Sequence, residues 1–508
     1  KDQEGPWKLV AYLDEIQPSI AYEEIRYPSY SIGVLIDHLI QQRPAQGATV
    51  SRLREELLSL AGRAIQAERE HMLKSFQQLL DRSEETLETQ RQERFEALDN
   101  FIDSLPDRQQ EGAPLRVQEL SDELSGLVRL PQFRLTAEQM RSINEDPDTL
   151  RSQLREQIDA YVTTLTINRV VGAMERRLGE SMNIRPNQFL EMEWVDVSDA
   201  LLHEVDALLD RRYERLLGDG KAISRDMDPL LERLTDYTTD KAQLLDLLGV
   251  MTEGQRLVFD RRTHRQGYQL THRLNYAFLV GQMLQDRPAQ DVTDQVLEQL
   301  DAARDVLRLV WGRYEWSRLS QEEVTLSHMD ERLKARIQEG LGEDNYARIC
   351  DQPLNTLTEQ DRQAVQDVFG WFDQNEATRQ LLLGVISELW VDYLTRVEAL
   401  RVSIGLEAYA QRDPLVQYKG RASEMFQQLL ADIRIGVISR LFTFRPRPQS
   451  MTAAEGRPDG AASLDPAAVT AVATSVAPAG TPAEPVSPGG QSAARAEIAS
   501  GKKKRRRH

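Results

Sequence analysis

Catalysis or metal binding in this chain would rest on seven histidines, one cysteine and one glycine-rich turn. A zinc protease needs two histidines four residues apart with a glutamate between them. His203-Glu204 has no second histidine at that spacing, and His38, His71, His328 and His508 stand alone. His264 and His272 lie eight apart and fit one face of a helix, but beside Arg261, Arg262 and Arg265 they read as a solvated basic strip. Cys350 has no neighbouring histidine to activate it and no second cysteine to share a disulfide or a multi-cysteine metal site. Gly218-Asp219-Gly220-Lys221 imitates the end of a phosphate loop. It lacks the long loop, is followed by Ala222 and comes after a helical pattern, so we read a turn. No catalytic residue, metal ligand or cofactor site is expected in this chain.

Composition points the same way. The 63 basic and 81 acidic residues leave a net charge of −18, which argues against nucleic-acid binding through the folded part. With 40% hydrophobic, 28% charged and 6% aromatic residues, the chain suits long charged helices that share modest cores. No run reaches the roughly 18 apolar residues that span a bilayer. A start at Lys1 rather than Met suits a piece of a longer polypeptide.

The elements that would position any site are almost all helical, and we expect an all-α fold. Residues 1–48 read as an entry segment with helices at Trp7–Ile16 and 32–40 and an extended piece at 20–27. Residues 49–105 hold one glycine and no proline. They predict a long scaffold helix of about 80 Å, at about 1.5 Å per residue, or an antiparallel pair broken near Arg82-Ser83. Pro106 and Pro114 mark a linker. Start signals at Thr136 with Gln139, Asp146-Pro147, Asp228-Pro229 and Thr358 with Asp361 organise the helical region 106–370. Helices are expected near 147–182, 196–217, 229–249, 253–284, 291–317, 321–340 and 358–371. The one strand-like alternation is 188–197.

Residues 371–448 carry the clearest pattern. Ile386, Leu389, Trp390, Tyr393, Val397, Leu400 and Ile404 keep helical spacing, as do Leu415, Tyr418, Ala422, Met425, Phe426, Leu429, Ile433, Val437 and Leu441. The break at 409–414 is short, with Asp413 and Pro414 suited to start a helix, so the second helix must run back along the first. This is an antiparallel helical hairpin with a compact polar tip.

Its residues resemble a known family. Leu389-Trp390-x-x-x-Leu394, Leu400-Arg401-x-x-Ile404-Gly405-Leu406, Ala410-Gln411-Arg412-Asp413-Pro414-Leu415-Val416-x-Tyr418 and Met425-Phe426 are similar to the C-terminal helical scaffold of SecA, the ATP-driven motor of bacterial preprotein translocation. The resemblance implies that this hairpin is the two-helix finger, with Tyr409, Gln411 and Arg412 at a tip that contacts the moving polypeptide. It further implies a scaffold and an enlarged wing upstream. The implied partners are the SecY channel, unfolded preprotein and the motor domains that bind ATP and Mg. The implied location is cytoplasmic, at the inner face of the membrane. Reading the residues alone leaves a different class open, a free-standing helical scaffold or adaptor without ATPase activity.

Beyond Pro448 the chain turns rich in Ala, Pro, Gly, Ser and Thr, and a disordered linker is expected over 449–508. It closes on a basic cluster, Lys502 to His508, suited to an anionic membrane surface. In the family a zinc-binding tail commonly stands here. Ser500-Gly501-Lys502-Lys503 and His508 keep its outline, but Ala496, Ile498 and Arg507 occupy the places of cysteines, so no zinc is expected.

Overall fold

Helix starts written in the sequence are closed by side chains in the structure. The computed structural model describes residues 5–44, 46–110, 117–130, 135, 136, 139, 146–260, 265–321, 324–404 and 414–444. Asp146 accepts from the amide of Thr149 at 3.1 Å, Pro147 takes the first helical position, and Gly179 ends the helix at φ +68°. Thr358 caps its helix through the amide of Asp361, and Thr136 and Gln139 bond reciprocally.

Fourteen α-helices are present among the described residues, and the fold is all-α apart from two small β-hairpins. The chain opens with α1 (Trp7–Ile16), a hairpin of β1 (Ile20–Tyr22) and β2 (Ile25–Tyr27), and α2 (Tyr30–Gln41). Next come α3 (Val50–Gln110), α4 (Val117–Leu127), α5 (Pro147–Leu178), α6 (Trp194–Leu216), α7 (Ala222–Leu231) and α8 (Lys241–Thr252). A ribbon of β3 (Glu253–Asp260) and β4 (Arg265–His272) leads into α9 (Ala277–Leu284) and α10 (Ala289–Ser320). The remainder is α11 (Glu331–Leu341), α12 (Glu343–Ile349), α13 (Glu359–Ser403) and α14 (Pro414–Ile438).

α3 is the spine, about 90 Å long at 1.5 Å per residue. It runs unbroken through Arg82-Ser83 and past Pro106, so the single long helix is the right one of the two expected forms. Its first turns share a core with α1, α2 and α7 to α9, built on residues such as Leu35, Leu53, Leu57, Leu248 and Val280. Its remainder shares a second core with α4, α5 and α6, including Phe76, Leu98, Ile158 and Leu201. α5 runs antiparallel to α3. Arg151 bonds Asp103 at 2.5 Å, Arg91 pairs with Asp159, and Arg177 reaches Ser75 at 2.7 Å. One helix's numbers fall as the other's rise.

The expected helices at 253–284, 229–249 and 321–340 need correction. The first is the β3–β4 ribbon followed by α9; Gly254 and Gly267 weaken a helix there. The second divides into α7 and α8, because Pro229 lies inside the end of α7 instead of starting a helix, and Asp240 caps α8. Asp228 pairs with Arg54 at 2.7 Å. The third begins only at Glu331, after a 3-10 turn at Leu326–His328. The alternation at 188–197 is a 3-10 turn, Pro186–Phe189, and the start of α6. Helix 358–371 does not end there but continues as α13 to Ser403.

Candidate functional site

The hairpin of α13 and α14 is held at its root by an unusually close helix crossing. α10 and α13 meet where Gly312 faces Gly370. A Cβ on Gly312 would lie 2.0 Å from the Gln366 carbonyl oxygen, and one on Gly370 would lie 2.2 Å from that of Arg308. Only hydrogen fits between these backbones. Phe369, Val365, Trp316 and Leu319 fill a core with α11 and α12 just beyond the crossing. On its other side Trp311 and Ala377 pack with Phe442, the residue to which the chain returns after α14.

Past this root the environment of α13 changes. Its buried positions are Asp361, Val365, Phe369, Gly370, Ala377, Leu381 and Val385, and none lies between Val385 and the helix end. α14 lies against the outer part, where a Cβ on Gly436 would meet Val385 at 3.0 Å and Leu429 is buried. Trp390, Tyr393 and Phe426 form a chain of ring contacts across the two helices, at 5.4 and 6.0 Å. Leu383, Ile386, Trp390, Leu394, Phe426 and Leu430 remain exposed. They leave a half-open apolar strip along the two-helix arm.

Tyr409, Gln411 and Arg412, expected at the tip, lie outside the described residues, as does the tail from Lys502 to His508. The other candidates are dispersed. His71 stacks on Phe278 at 4.6 Å and meets Trp7 at a tilt at 4.4 Å, the three rings forming one cluster, and burial holds its pKa below the usual value. His328 bonds Thr325 through Nδ1 at 2.6 Å. His203 sits exposed on α6, and Cys350 is a free, half-buried thiol. His272 ends strand β4 and so lies on no helix face, which corrects that expectation; His264 lies outside the described residues. Gly218 to Lys221 form the turn between α6 and α7, with Lys221 at φ +44°. No group of three metal-ligating side chains comes together among the described residues.

Two acids near the root are not singled out by the sequence motifs. Asp373 follows the Gly312–Gly370 crossing on α13, and Glu315, 5% exposed, follows it on α10 beside Arg318. Burial, then the Glu315 charge, push the Asp373 carboxyl up to about 8, against the opposing pull of Arg318. Its signal was available: Asp373 stands four residues after Phe369 and Glu315 four after Trp311, on core-facing stripes.

Fold and arm together define an all-α scaffold: a long spine helix, packed bundles along it, and a projecting two-helix hairpin. The family model described as the SecA wing and scaffold domain matches residues 35–445, and the chain belongs to that family. Among curated relatives, the chain is 47% identical over 74 residues to a protein translocase subunit SecA of Synechocystis sp., covering 15% of this chain and 8% of that one. It is 42% identical over 79 residues to that of Trichodesmium erythraeum, covering 16% and 8%. It is 34% identical over 140 residues to that of a Synechococcus sp., covering 26% and 14%. The chain thus spans between 8% and 14% of the length of these relatives. No solved structure matches it.

Proposed function

We propose that this chain is the scaffold, wing and finger part of a SecA-type translocase, working with motor domains that lie outside it. The observation that carries the reading is the arm: a two-helix hairpin, rooted at a glycine crossing and apolar on one open side, in a chain of the SecA wing and scaffold family. In this reading the motor domains bind and hydrolyse ATP with Mg, and no residue of this chain is assigned to hold either. The work of this chain is mechanical. Movement delivered to α10 passes through the crossing, which leaves no slack for sliding, and tilts α13 and α14 together. The tip residues Tyr409, Gln411 and Arg412 press on unfolded preprotein at the mouth of the SecY channel. The protein works peripherally at the inner face of the cell membrane, with Lys502 to His508 drawn to anionic lipid.

Mixing the chain with purified SecA motor domains, SecY-containing vesicles and an unfolded preprotein tests this. ATP turnover should rise several-fold above that of the motor domains alone. No rise, together with no association between chain and motor, would leave a scaffold without a motor role.

A further inference from the structure

The β3–β4 ribbon is a sheet of two strands only, among the described residues. Its eight residue pairs run from Glu253 opposite His272 to Asp260 opposite Arg265, and neither strand pairs with a third among the described residues. On β4, Gln269 and Leu270 are consecutive and so lie on opposite faces, yet both are exposed, Leu270 by 57%. Gly267 and His272 are exposed as well. Exposed residues thus lie on both faces of β4, and its outer edge pairs with no strand among the described residues.

The base of the ribbon is fixed by Arg273. Arg273, 7% exposed, donates to Asp226 at 2.5 Å and fills the space beside Gly254, where a Cβ would overlap its guanidinium at 1.9 Å. Its own carbonyl accepts from Arg212 at 2.9 Å, and its amide donates to the Thr252 carbonyl at 2.7 Å. A two-stranded ribbon standing alone is only marginally stable in water, and a third strand is what such a ribbon lacks. An anchored ribbon with an unpaired edge is a template for strand addition.

We propose that the outer edge of β4 is a docking site for an extended segment of another polypeptide, which adds to the ribbon as a third strand. Backbone amides and carbonyls supply the recognition, so the site accepts segments of varied sequence. Charge selects against the other natural occupant of such an edge, a second copy of this chain. Each copy carries −18, and their bodies repel on approach. β4 itself carries Arg265 and no carboxylate, so a neutral extended segment meets no like charge there and none of the long-range repulsion that a second copy would. The choice of an unfolded chain as occupant rests on the transport reading; the edge geometry does not.

The test is binding of a fluorescein-labelled eight-residue Ser/Val/Thr peptide to the 508-residue chain, read by fluorescence anisotropy. The same peptide with every amide N-methylated, and so without donors, is the control. Gln269→Pro and Leu270→Pro are compared in parallel. Neighbouring residues point their N–H groups to opposite edges, so one proline removes an outward donor and spares the ribbon, while the other breaks the ladder to β3. Expected results are binding of the plain peptide, none of the N-methylated one, and at least tenfold weaker binding by the proline variant whose melting is unchanged. Three results would each overturn the proposal: equal binding of both peptides, full binding by both proline variants, or no binding by the wild-type chain. A dimer that N-methylation leaves intact and both prolines abolish would assign the edge to a second copy instead. Because motor and channel are absent from this assay, its failure leaves the transport reading standing, and failed transport leaves a positive binding result intact.

Discussion

Single residues near the Gly312–Gly370 crossing tie the stability of the arm's root to pH. Asp373 has a folded-state pKa of about 8, above its ordinary value of 3.8, because burial and Glu315 disfavour its charge. The folded state therefore holds this proton more tightly than the unfolded state. Its contribution is complete below pH ~4 and is lost as pH climbs to about 8. Asp14, raised to about 6 by burial against the start of α2, acts in the same direction over a narrower window. Asp361 is held below its usual range by Arg348 and Thr358 and acts oppositely, losing its contribution as pH falls. Asp373→Asn should raise stability by about 2 kcal/mol at pH 8 and change it little at pH 5, as urea melts at the two values would show. Gly312→Ala places a methyl group on the Gln366 carbonyl. It should destabilise by about 3 kcal/mol or displace the root of α13, detectable as a lower urea midpoint.

At the scale of elements, α13 is two things in sequence: a core helix up to Val385 and an arm beyond it. Replacing both Leu383 and Trp390 by Ser should move the melting temperature little, since both are already half in water. The same pair should lower ATPase stimulation in the reconstituted system several-fold, because the open apolar strip would be lost. A fall in stability without a fall in stimulation would mean the strip only packs. The hairpin was legible because stripe, short break and Asp413-Pro414 agreed at every level. The ribbon was not. Leu257, Arg256 and Gln255 are helix formers, and the alternation of β3 with β4 is visible only once their pairing is known. Asp228-Pro229 misled for a related reason: a start signal and a proline tolerated near a helix end look alike in one dimension. Asp373 and Glu315 are hard to single out because an acid on a core stripe is easily lost among 81 acidic residues.

At the scale of the molecule, α3 does for the bundles what the crossing does for the arm: it fixes distance. Two separate cores share this one helix, and inter-helix ion pairs such as Arg69 with Asp206 at 2.6 Å and Arg151 with Asp103 at 2.5 Å set the register of the helices along it. These pairs are half exposed and contribute more to specifying register than to stability. A stiff spine and a rooted arm are what a mechanical transmitter needs. The most direct measurement of that claim is ATP-driven preprotein translocation into SecY vesicles with a Tyr409→Gly chain whose melting matches the wild type. The account predicts transport reduced at least several-fold while motor association is retained. Transport at the wild-type rate would contradict the claim that this hairpin pushes on the polypeptide.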